Sequence, residues 1–383
     1  MRFSPRAAIT FTFIAFGVLV GAQVGAIPIL REQSGVNSFT FGILAGLCTA
    51  ANIVALAAGG IMSRRFDHRS VILFILPVSC VAVQASLLSH SVIVFGLTFV
   101  AFNYCLGTLD LFMNAEASIV EHDLKKPVFA AFHAAVLYAI GLAGLVGGYI
   151  AVTYGAIWAA LPALPFVILA LVSVNQAIPH RAHVMEARRS ARPLPRRILF
   201  LIGIMIGLDV AAELTCVQWS GQLLADMQPQ LAQYSGLGVA FYGLCNGTVR
   251  QVGDRLRARF SDMTLVGASL AVGIAGFAVL ATGPGFLVSV LAFAVAGCGL
   301  GLIFPCLFSI AAGLAPDNRA AALGFASAVS GPPRILLPML LGLLAQTYGM
   351  HAIYIAAGVA CAVALAVSVV TGREMSRMQT QAT

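Results

Sequence analysis

Two carboxylates stand four residues apart in the middle of an apolar run, Asp209 and Glu213 in Leu-Asp209-Val-Ala-Ala-Glu213-Leu. One helical turn separates such residues, so in a helix both acids share a face. Two close carboxylates resist joint ionisation, which suits one of them to hold a proton at neutral pH, or the pair to hold a cation or cationic ligand. The blander alternative is that they partner an internal cation and fix helix packing. A candidate cation exists. Arg334 also lies in mid-run, directly after Pro332-Pro333, with Ser330 and Ser327 preceding it on the same helical face. The prolines are expected to break or kink a helix there and to free backbone carbonyls. An arginine at such depth needs a carboxylate, and Asp209 or Glu213 is the expected partner.

A second constellation lies upstream. Asn103, Gly107, Asp110 and Asn114 recur at helical spacing and form one polar stripe with a gap at the glycine, as a cavity wall would. Asp110 falls toward one end of its run, so a gating bond to a neighbouring loop and contact with a bound solute both remain open. Glu116 projects elsewhere and is expected at the membrane interface. His133, Gln23, Gln218 and Trp219 are secondary site candidates, since a lone histidine or glutamine among helices more often bonds a neighbouring helix. Gly141, Gly144, Gly147 and Gly148 permit close helix contact, and packing is their expected role.

The elements that must position these residues follow from composition. Of 383 residues, 60% are apolar and only 9% charged, where a soluble chain carries roughly 25% charged residues. With a mean hydropathy of +0.95, most of the surface must face lipid. Apolar stretches long enough to cross a bilayer fall at 8–30, 39–61, 71–89, 91–116, 127–152, 156–175, 198–223, 231–249, 263–281, 285–313, 320–347 and 351–371. The first resembles a signal peptide after Met1 to Arg6, but its length favours a spanning helix. The chain therefore reads as an all-α membrane protein of twelve transmembrane helices. Its domains are an N-terminal six-helix bundle (1–175), a basic cytoplasmic linker (176–197) and a C-terminal six-helix bundle with a short tail (198–383). The proline-interrupted linker has no apolar face and reads as a tether between the bundles.

The net charge of +8 sits in alternate loops: Arg64, Arg65 and Arg69, then Lys125 and Lys126, the linker arginines, Arg250 to Arg259, and Arg319. The opposite loops hold Arg31 and no other basic residue except histidine. That asymmetry places the basic loops and both termini in the cytoplasm, and it accounts for the charge without a nucleic-acid partner. The eight cysteines lie singly in apolar stretches with no CxxC or His/Cys cluster, so neither metal site nor disulfide framework is signalled. HExxH and GxSxG are absent, so no enzyme is expected. Thr153-Tyr154-Gly155 recurs as Thr347-Tyr348-Gly349, an offset of nearly half the chain. It reads as an internal repeat of the kind in which one half rocks against the other.

Over its full length the chain resembles the major facilitator superfamily. That family carries a diagnostic loop after its second helix, a glycine followed by an acid and several basic residues. Here the stretch runs from Gly60 through Arg64, Arg65, Asp67 and His68 to Arg69, with arginine in place of the expected acid. The equivalent loop after the eighth helix, Arg250 to Arg259, keeps the acid–base pair Asp254-Arg255. The resemblance implies a cytoplasmic gate built from Arg64, Arg65, Arg69, Asp254 and Arg255. The runs Gly107-Thr-Leu-Asp110-Leu-Phe-Met-Asn114-Ala-Glu116, Val120-Glu121, Phe132-His133-Ala134 and Gln218-Trp219-Ser220 are similar to the MosC/YbjJ-like branch. Drug–proton antiporters of the superfamily carry arginine where Asn103 stands, and a Gly-Pro element where this chain has Ala143-Gly144, so the pattern departs from theirs. The resemblance implies a multi-pass protein of the cytoplasmic (inner) membrane, monomeric and without a cofactor. It would move a small polar solute such as a polyol or amino sugar by alternating access, coupled to protons. The alternatives are an efflux pump for amphipathic compounds and a membrane solute sensor.

Overall fold

Inside hydrocarbon every backbone polar group must be satisfied within its own segment, so apolar stretches of this length fold as helices. The computed structural model describes residues 3–63, 65–125, 128–180 and 194–382. The first half holds α1 (Pro5–Ser34), α2 (Ser38–Met62), α3 (His68–Leu87), α4 (Val92–Leu124), α5 (Phe129–Tyr154) and α6 (Leu164–Ala177). The second holds α7 (Arg196–Met227), α8 (Leu237–Arg257), α9 (Asp262–Ala281), α10 (Phe286–Leu300), α11 (Ile303–Gly313), α12 (Arg319–Tyr348) and α13 (His351–Ala382). No strand occurs among the described residues. Among the described residues eleven segments are long and apolar enough to span a membrane, with α10 and α11 counted together as one crossing, Phe286–Gly313. The helix missing from those eleven is α8, whose surface carries Asn246, Arg250, Gln251, Asp254, Arg255 and Arg257.

Each expected span has a helical counterpart, with differences at the ends. α4 runs to Leu124 and α7 to Met227, past the apolar stretch, because a helix continues beyond hydrocarbon when nothing caps it. α8 starts only at Leu237, since Pro229–Tyr234 forms a 3-10 segment before it. α12 is a single helix through Pro332, Pro333 and Pro338, so the expected break is not made. Its neighbour α7 accommodates the proline ring: a Cβ on Gly207 would stand 3.0 Å from Pro333.

Within the first half α1 packs on α5 and α6, and α4 on α2 and α3; in the second, α7 packs on α12 and α13, and α9 on α10 and α13. The halves meet chiefly through α2 against α12 and α5 against α8. Glycine sets these crossings. A Cβ on Gly42 (α2) would lie 2.6 Å from the Cα of Gly342 (α12), and one on Gly236, at the head of α8, 2.5 Å from the Gly144 carbonyl of α5. Both close approaches lie at the end of the molecule where α2 and α8 begin. Toward the other end, past the bonds of Tyr138 to Thr248 and Gln251, the halves part around a cavity lined by Glu121 and Phe129 of the first and Asp254 and Arg257 of the second, and the space around Gly60 and Gly324 is open. The molecule is thus shut at one end and parted at the other. The repeat is also visible in the backbone. Gly155 and Gly349 close α5 and α12 at φ +101° and +85°, each donating its N–H to the carbonyl four residues back, Ala151 and Ala345. A positive φ strains any residue with a Cβ, which explains glycine at both corners.

Candidate functional site

α7 carries the two acids into different surroundings. Glu213 is half-buried and lines a cavity of about 560 Å³ together with His133, Arg250, Asp254, Phe304 and Phe308. Its Oε1 accepts from Arg250 Nη2 at 2.7 Å and from Asn246 Nδ2 at 3.0 Å. Asn246 also donates to the Tyr242 hydroxyl at 3.1 Å. Asp209, one turn away, is fully buried, and neither of its carboxyl oxygens has a hydrogen-bond partner among the described residues.

Arg334 does not pair with either acid, contrary to expectation: it makes no ion pair or hydrogen bond among the described residues, and its Nε is buried and unsatisfied. Arg250 takes Glu213 instead. The reason lies in α8, which continues to Arg257 and so carries Arg250 inward on a helix face. The carboxylates whose charges reach Arg334 are Asp110 and Glu213.

The stripe on α4 is partly realised. His133 on α5 meets Asn114 Oδ1 at 3.0 Å; an amide oxygen only accepts, so the imidazole donates from Nε2. Asn114 Nδ2 in turn donates to Asp110 Oδ1 at 2.8 Å. Asp110 therefore bonds within α4, and the charge of Arg334 on α12 reaches it. Asn103 turns back on its own helix and donates to the Phe99 carbonyl. Gln23 donates to Ser86 Oγ at 3.1 Å, a buried link from α1 to α3. Gln218 is half-buried beside Trp219. Glu116 is buried, its Oε2 3.1 Å from Nδ1 of His68, the first residue of α3. Glu121, a residue noticed only as part of a resemblance, accepts the amide N–H groups of Val128 and Phe129 at 2.8 and 2.7 Å. It thereby caps α5 and fixes the approach of His133.

The shut end contains a residue that sequence reasoning left in a loop. Arg31, on the last turn of α1, is buried with its guanidinium 5.2 Å from the Phe41 ring and 5.4 Å from the Trp219 ring. The rings meet edge to face at 4.9 Å. Arg31 Nη2 donates to Ser38 Oγ at 2.9 Å, and the charge of Asp226 reaches it. One cation therefore bridges α1 and α2 of the first half to α7 of the second.

At the parted end none of the described gate residues bonds across to the other half. Arg64 lies outside the described residues. Arg65 is exposed, and Arg69 bonds His180 and the Asn175 carbonyl at the end of α6. Asp67 caps α3 and meets His180 Nδ1 at 2.7 Å. Burial pushes its carboxyl up, but hydrogen bonds from Ser70, His180 and the amides of Arg69 and Ser70 outweigh that and hold it below the usual carboxylate range. Asp254 and Arg255 are exposed, and Asp254 lies 3.9 Å from Arg257. The tight pair in that loop is Arg257 with Asp262, whose two oxygens accept at 2.8 and 3.3 Å.

A backbone of this kind, with α2 crossing α12 and α5 crossing α8, superposes on a mutant of the nucleoside transporter NupG with a TM-score of 0.76 at 12% identity, covering 96% of this chain and 99% of that one. The chain has the major facilitator fold. The sequence agrees with it along nearly its whole length. An uncharacterised MFS-type transporter of Yersinia pestis is 23% identical over 91% of this chain and 93% of its own. The membrane protein MosC of Rhizobium meliloti is 24% identical over 90% and 84%. No family model matches. The resemblance to an MFS-type transporter and to MosC is carried by sequence, and that to solved transporters by the fold.

Proposed function

We propose that this chain is a secondary transporter of the cytoplasmic membrane that moves a small polar solute, a polyol, amino sugar or similar compound, by alternating access. The observation that carries the reading is the pairing of a charged cavity, reached from one end, with a second end shut by glycine crossings and the Arg31 bridge. In this reading the two six-helix halves, joined by the 176–197 linker, rock about α2/α12 and α5/α8, and a monomer suffices. The basic loops lie in the cytoplasm, so the state described opens inward.

Proton coupling is part of the proposal. Asp209 offers a dry carboxyl, and an ionised carboxylate without donors is costly to hold in such a place, which suits it to carry a proton. Glu213 is the neighbouring acid through which the proton is exchanged with the cavity, its release balanced by Arg250. The experiment is solute accumulation in proteoliposomes under an inward proton gradient. Glu213→Gln is expected to abolish gradient-driven accumulation and to spare solute exchange. Unchanged accumulation sinks the coupling scheme. An efflux reading draws on one specific feature, the Phe304–Phe308 stack at 4.3 Å on the cavity wall; protection of cells from unrelated amphipathic cations would favour it.

A further inference from the structure

The charged groups near the cavity are nearly all answered by other residues. Glu213 is held by Arg250 and Asn246, Asp110 by Asn114, and Arg257 by Asp262. Asp209 is unbonded but fully buried, so no solute touches it. Arg334 differs from all of these. It is only half-buried, it has no acceptor among the described residues, and its Nε is dry. What Arg334 lacks is an acceptor. A guanidinium fork matches the paired oxygens of a carboxylate or phosphate, and an unanswered arginine at membrane depth is costly until such a group arrives.

We infer that the solute is an organic acid, a carboxylate or a phosphate, whose anionic group is taken by Arg334; within the small polar solutes proposed above, that singles out sugar acids and sugar phosphates over neutral polyols and amino sugars.

This rests on the transporter reading only for its biological meaning, because binding can be measured alone. The test is thermal unfolding of the full chain in detergent with millimolar gluconate, glucose 6-phosphate, myo-inositol and glucosamine. A ligand of the folded state raises its apparent stability. The expected result is a rise with one of the acids that Arg334→Gln weakens by about tenfold to a hundredfold, as for loss of a hydrogen bond to a charged group. Gluconate against glucose 6-phosphate decides between carboxylate and phosphate. Arg334→Lys keeps the charge without the fork and serves if the glutamine variant is unstable; it too is expected to bind the acid more weakly. A response to myo-inositol or glucosamine without one to either acid overturns the inference, as does an acid response that survives in the variants. If the acids fail while a neutral solute exchanges in proteoliposomes, the inference falls and the transporter reading stands. If no solute of any class moves in proteoliposomes, it is the transporter reading that falls.

Discussion

At the scale of single residues, the two arginines that organise this molecule share one history in the sequence. Arg31 and Arg250 each stand one residue beyond an apolar stretch, and hydropathy assigns such charges to loops. Both helices continue, α1 to Ser34 and α8 to Arg257, so both guanidinium groups turn inward. Charged residues far inside an apolar run, Asp209, Glu213 and Arg334, were legible from the sequence; their pairing was not, because partners are set by three-dimensional neighbours. The Arg31 bridge invites a direct measurement. With Trp158→Phe, Trp219 is the sole tryptophan of the two in the chain. A cation–π contact is worth about 0.5–2 kcal/mol, so Arg31→Ala is expected to move the population toward outward opening by roughly two- to thirtyfold. Quenching of Trp219 by acrylamide should rise accordingly, and unchanged quenching would count against the bridge as a latch.

The helices themselves set how far the halves approach. Gly42 and Gly342 leave no room for a side chain, and overpacking costs about 1–3 kcal/mol. Gly342→Leu is therefore expected to slow solute exchange more than tenfold by holding α2 and α12 apart, while Gly324→Leu, at the parted end, leaves exchange unchanged. Equal effects from both would sink the assignment of the shut end. The α2–α3 connection makes a separate prediction. Because the Asp67 carboxyl is depressed in the folded chain, its contribution to stability is complete above the ordinary carboxylate range, near pH 4, and fades as pH falls through the lowered value. Asp67→Asn should speed hydrogen exchange of residues 65–71 at neutral pH and make no difference in strong acid. Element order was plain in the sequence, since hydrocarbon thickness fixes the length of an apolar stretch, but the stretch expected over 285–313 divides into α10 and α11 and α8 is too polar to count among the eleven apolar spans. Helix ends were less so, because polar turns such as Glu121 to Leu124 continue a helix without an apolar signal.

For the whole molecule, the shared Thr-Tyr-Gly corners of α5 and α12, with the basic loops after the second and eighth helices, were the traces of duplication legible in the sequence, and the matching backbone of the corners supports it. The crossings between halves were not legible, since glycines that face another helix look like glycines that face their own. Orientation is open to a simple check. In a variant without the eight cysteines, Arg259→Cys is expected to react with a membrane-impermeant maleimide only in inside-out vesicles, and Glu32→Cys only in intact cells. The reverse pattern would invert the assignment of inside and outside and make the described state outward-facing.

The polarity of α8 bears on how the protein is made. Charged residues near the centre of an isolated helix oppose its insertion by about 2.5–3.5 kcal/mol each, and α8 carries Arg250 within its length. α7 emerges from the ribosome first and already holds Glu213, which pairs with that arginine at 2.7 Å. α8 should therefore enter the bilayer as one hairpin with α7 and fail to do so alone, which makes this ion pair a determinant of biogenesis before any solute is met.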